Sequence, residues 1–104
     1  MSTTLFENQT ADGSSAWAPI ISTGLVNLYV SGDLGGGTLT IEALDPGSNI
    51  VVVDGGVITT AGMHLIEAGS FKGRAVLTGS AAANVNAYIE VENVKTRLAV
   101  RLRV

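Results

Sequence analysis

Few residues in this 104-residue sequence could do chemistry. There is no cysteine, which removes thiol nucleophiles, disulfides, zinc ribbons and iron–sulfur ligation together. The sole histidine, His64, sits in Met63-His64-Leu65-Ile66, where a packed or half-exposed structural role is expected. No serine occupies a Gly-x-Ser-x-Gly elbow. Gly35-Gly36-Gly37 lacks the lysine of a phosphate loop, so it reads as a hairpin loop. Asp33, Asp45 and Asp54 stand among turn residues, and loop carboxylates are what calcium prefers. None shows Asp-x-Asp-x-Asp-Gly spacing, and Asx side chains in turns ordinarily bond their own backbone. The reading is a chain without catalytic, cofactor-binding or metal-binding residues, and not an enzyme.

Two other features could make contacts. Trp17, between Ala16 and Ala18-Pro19, is either a sugar-stacking platform or the chief packing residue. With only four further aromatics (Phe6, Tyr29, Phe71, Tyr88), packing is the expected role. Pro19 marks its strand as an edge or as ending early. Lys95, Arg97, Arg101 and Arg103 are all odd-numbered, so on one strand they share a face at a spacing of about 6.6–6.8 Å. They read as a solvated, aggregation-resisting face, or as a contact for an acidic partner surface, since the guanidinium fork takes carboxylates bidentately. Nucleic acid is not the expected partner, because the net charge is −3 and only Tyr88 could stack near the ladder.

Elements that position these residues follow from hydrophobic spacing. No window repeats apolar residues at helical spacing without glycine interrupting, whereas alternation with period two is common. Leu98 to Val104, Val85 to Val91, Leu39 to Ala43 and Val26 to Val30 alternate clearly. Noisier candidates are residues 3–8, 16–22, 50–53, 63–67 and 71–78. Between them lie turn signals, sharpest at Asp45-Pro46-Gly47-Ser48. Eight or nine short strands at this spacing predict an antiparallel β-sandwich of about eight strands, or a jelly roll. One domain is expected over residues 13–104, after an N-terminal arm over 1–12. Leu5 and Phe6 would then be apolar anchors, able to add a strand to a neighbour's sheet edge. With Lys95, Arg97, Arg101 and Arg103 they form the expected protein interface.

Charge is unevenly divided. Residues 1–71 hold seven acids and no base; residues 72–104 hold six bases and two acids. Such a bipolar chain offers complementary patches to copies of itself or to a neighbour. No apolar run reaches the ~18 residues of a membrane span, and no basic leader precedes an apolar stretch. Neither a membrane partner nor secretion is expected.

The opening Thr4-Leu5-Phe6-Glu7-Asn8-Gln9-Thr10-Ala11-Asp12-Gly13-Ser14 resembles the start of small structural proteins of tailed bacteriophages. The resemblance continues through residues 30–42, Val30-Ser31-Gly32-Asp33 to Ile41-Glu42, and at Gly73-Arg74-Ala75-Val76-Leu77-Thr78-Gly79. It rests on turn-and-strand texture and carries over no catalytic residue. Capsid decoration (cement) proteins are the group it resembles first. The resemblance implies a non-enzymatic virion component on the capsid surface, made in the host cytoplasm. Its partner would be the major capsid protein, and it would often be a homotrimer. The alternatives are a neck, tail or fibre-associated module, or a carbohydrate-binding β-sandwich.

Overall fold

The computed structural model describes residues 2–92, all strand and connection. Among the described residues seven strands follow one another: β1 (Ser2–Gln9), β2 (Gly13–Ser14), β3 (Ala18–Asp33), β4 (Thr38–Leu44), β5 (Ile50–Ile58), β6 (Gly62–Thr78) and β7 (Asn84–Glu92). Pairing is antiparallel throughout and joins them in one sheet of order β1-β7-β3-β6-β4-β5, with β2 against β6. The all-β antiparallel class is as the alternation indicates. Division into two sandwiched sheets, or a jelly roll, goes beyond this pairing.

Alternation explains the core. Val26, Leu28 and Val30 of β3, Leu39 and Ile41 of β4, and Val85, Ala87 and Ile89 of β7 all bury their side chains. The terminal strands contribute to the same cluster, β1 through Leu5 and Phe6 and β5 through Ile58. A flat sheet could not bring its two end strands to one core, so this sheet curls around it.

β3 and β6 are long because each absorbs two candidate strands. Register slips between Ile20 and Thr23, and the buried positions of β6 change from even (Ile66) to odd (Ala75, Leu77). Such an irregularity turns a side chain to the other face without ending the strand. Serines hold it together. Ser22 N–H donates to Ser70 Oγ at 3.0 Å, Ser70 Oγ–H donates to the Ser22 carbonyl at 3.2 Å, and Ser22 Oγ–H donates to the Ala68 carbonyl at 2.8 Å. Beyond it β6 pairs with β4 through Gly73–Thr78.

Three expectations are corrected here. The N-terminal segment is not a free arm: Ser2–Gln9 is laddered to β7, and Leu5 and Phe6 are buried in the chain's own core. Two consecutive side chains can both face inward because the β1 register shifts between Thr4 and Phe6. Trp17 is only half-buried and lies outside the core cluster, which is built from aliphatic side chains and Phe6. Gly35-Gly36-Gly37 joins β3 to β4, which are not ladder neighbours, so it is a crossover past β6 rather than a hairpin loop. Gly35 and Gly36 take φ of 62° and 75° there, a region glycine enters without steric cost.

Candidate interaction surface

Apolar side chains that the curled sheet leaves outside define the candidate surface. Register places Met63 opposite Tyr29, and Tyr29 opposite Tyr88. Directly opposed residues share a face, so these three form one row across β6, β3 and β7. The next row is Leu65, Asn27 and Glu90. Met63 and Leu65 are 65% and 55% exposed, the tyrosines half-buried, and Asn27 almost fully covered. Exposed Glu67 and Glu90 make the rim acidic.

A second apolar group lies on β5, at the end of the strand order. Ile50, Val51, Val52 and Val57 are each 44–58% exposed. Val52 stands opposite Glu42 on β4, which stands opposite Arg74 on β6. Arg74 Nε–H donates to Glu42 Oε1 at 2.9 Å, and its Nη2 lies at the same distance from that oxygen. The guanidinium carbon sits 4.5 Å from the centroid of the Trp17 ring. Trp17, Arg74, Glu42 and Val52 therefore run across this part of the sheet to its edge. A double-mutant cycle with Arg74→Ala and Glu42→Ala is expected to give a coupling of about 1 kcal/mol in urea unfolding, because the pair is partly buried and doubly contacted. A coupling of zero would mean that the pair only decorates the surface.

Asp33, Asp45 and Asp12 serve the backbone, whereas Asp54 lies within β5 rather than in a turn. Asp33 Oδ1 accepts the Gly35 N–H at 2.8 Å. Asp45 Oδ1 accepts those of Gly47 and Asn49 at 2.9 and 2.8 Å, closing the β4–β5 turn. Asp12 accepts the Gly79 and Ser80 N–H groups and the Ser80 hydroxyl, tying the β1–β2 connection to the end of β6. The Ser80 hydroxyl foremost, then the two amides, hold the Asp12 carboxyl below its ordinary value of 3.8; the Asn49 amide foremost does the same for Asp45. Because both folded values are depressed, the stability they contribute is complete above the ordinary value and is lost as pH falls through the folded ones. Melting temperature should thus be level above about pH 5 and fall below about pH 4. Asp12→Asn should make that fall shallower; an unchanged slope would contradict the assignment.

His64 is half-buried and donates Nε2–H to the Thr60 carbonyl at 3.0 Å. Among the described residues no three His, Cys, Asp or Glu side chains converge as a metal site. Lys95, Arg97, Arg101 and Arg103 lie outside the described residues. Leu5 and Phe6 face the core and are not brought to either surface. Sequence reasoning missed Met63, Leu65, Ile50, Val52 and Val57. The signal was present: an antiparallel strand with one wet face should be polar there, yet Ile50-Val51-Val52-Val53 is apolar in both phases. Compared with known proteins, the chain matches no family model, no curated protein and no solved structure.

Proposed function

We propose that this chain is a non-enzymatic virion structural protein that binds the outside of an assembled phage capsid and stabilises it by multivalent protein–protein contact. The observation that carries the reading is the pair of exposed apolar surfaces, Met63 and Leu65 on β6 and Ile50, Val52 and Val57 on β5. Grouped apolar side chains on a folded surface mark places where another protein sits. Two such places on one body let it touch a shell subunit with one and a neighbouring copy with the other, as a homotrimer on the capsid surface would. Contacts that are weak singly become strong when several engage together. A ligand that prefers the assembled shell to free subunits stabilises the shell by mass action. The major capsid protein is the partner, and the phage-like texture of residues 4–14, 30–42 and 73–79 supports that choice.

Carbohydrate binding is less well supported, because the Arg74 guanidinium already stacks on Trp17. The test is charge placed on each surface. Leu65→Lys and Val52→Lys should leave stability within about 0.5 kcal/mol, as exposed substitutions generally do, because the acids in the same cross-strand rows, Glu90 and Glu42, do not repel the new charge. Each should weaken retention on assembled shells at least tenfold, equivalent to about 1.4 kcal/mol. Full retention of both variants would overturn the reading.

A further inference from the structure

The sequence contains two Asp-Gly pairs, Asp12-Gly13 and Asp54-Gly55, and the fold treats them in opposite ways. We propose that Asp54-Gly55 is a site of spontaneous backbone isomerisation from aspartyl to isoaspartyl, and that the fold holds Asp12-Gly13 out of the same reaction. This is independent of the shell-binding reading.

In the reaction, the backbone nitrogen of Gly55 forms a bond to Cγ of Asp54. The hydroxyl of the protonated carboxyl group leaves as water together with the amide proton, and a five-membered succinimide remains. One water then adds to either ring carbonyl. Opening on one side restores aspartate; opening on the other leaves the chain running through Cβ and Cγ, with the former main-chain carbonyl as a free carboxylate. One water leaves and one returns, so mass is unchanged and the backbone is longer by one methylene. No oxidant, reductant or cofactor takes part. Glycine as the following residue matters because a side chain there obstructs the attacking nitrogen. Of the other aspartates, Asp33 precedes Leu34, and Asp45 precedes Pro46, which has no N–H to lose.

Geometry separates the two pairs. Asp54 and Gly55 are both exposed, and among the described residues the Asp54 carboxylate accepts no hydrogen bond. They lie in the stretch 53–56 of β5, which has no register partner on β4: pairing passes from Val52 opposite Glu42 directly to Val57 opposite Thr40. Gly55 has φ of 79°, with nothing within 4 Å of the position a Cβ would take. The ring has room to form there. Asp12 is held instead. Its Oδ2 accepts the Gly79 N–H at 2.9 Å, and its Oδ1 accepts the Ser80 N–H at 2.9 Å and the Ser80 hydroxyl. Closing a ring on Cγ of Asp12 expels one of these oxygens and so breaks at least one of the three bonds. They also favour the ionised carboxylate, the poorer electrophile of its two forms.

The test is ageing of the full chain at 37 °C and neutral pH, once native and once in guanidinium chloride. Isoaspartate at each pair is quantified by peptide mapping and by labelling with isoaspartyl methyltransferase. In denaturant both pairs should convert at comparable rates. In the native protein Asp54 should convert at least fivefold faster than Asp12, and Asp54→Glu should abolish the signal at that position. Native rates at the two pairs within twofold of each other would overturn the inference. So would an Asp54 signal absent from the native protein, whether or not denaturant restores it.

Discussion

Phe6→Ala is expected to destabilise the fold by about 3–5 kcal/mol, the range for removing a buried aromatic ring from a core. Phe6 is 3% exposed and belongs to the same cluster as Val85 and Ala87 of β7. Ala87 is its register partner, and the ladder is irregular on both sides of that pair, between Thr4 and Phe6 and between Phe6 and Gln9. The irregularity is what lets Leu5 and Phe6 point inward together. Truncating the ring leaves a cavity between β1 and β7 that small neighbours such as Ala87 cannot fill. Urea unfolding should show a lower midpoint with an unchanged slope. On a free arm the same substitution would change stability by no more than about 0.5 kcal/mol, and that result would detach β1 from the core.

Gly32→Ala should be nearly as severe, at about 2–4 kcal/mol, for a different reason. Gly32 has φ of 93°, and a Cβ placed there would lie 2.0 Å from the backbone oxygen of Asn84. A backbone atom in a ladder cannot swing aside as a long side chain can. Asp33 and Gly32 pair with Asn84 and Val85, so relief requires the start of β7 to separate from β3. Gly36→Ala is the control. It has φ of 75° and nothing within 4 Å, so it carries conformational strain alone and should cost about 1–2 kcal/mol. Equal losses for the two variants, measured by urea unfolding, would show that contact with β7 is not what makes Gly32 necessary.

Much of the fold is legible where one side of a strand is wet. β4 and β7 alternate cleanly in the sequence and bury the residues their alternation selects, from Leu39 and Ile41 to Val85, Ala87 and Ile89. The Asp45-Pro46-Gly47-Ser48 turn is legible too. Its aspartate bonds Gly47 and Asn49, and Ser48 takes the positive φ of 64° that closes the hairpin. What is hidden in the sequence is non-local. Residues 16–22 and 26–30 look like two strands because the irregularity at Ile20–Thr23 interrupts their alternation, yet pairing with β6 makes them one. Leu5 and Phe6 look unsupported because the strand that covers them, β7, lies some eighty residues further on. Trp17 looks like a core residue until Arg74, distant in sequence, is placed against its ring. The exposed surface was the hardest to foresee. Met63 and Leu65 are apolar residues in a strand that also buries Ile66, and alternation alone does not say which phase meets the core.

Seating on an assembled shell through the exposed apolar surfaces is the role proposed for this chain. Its most direct test is the copy number of the chain in purified virus particles, relative to the major shell subunit, by quantitative mass spectrometry. A multivalent decoration role predicts about one copy per shell subunit. A handful of copies per particle would contradict it and place the chain at the neck or tail, and complete absence from particles would contradict a virion role altogether.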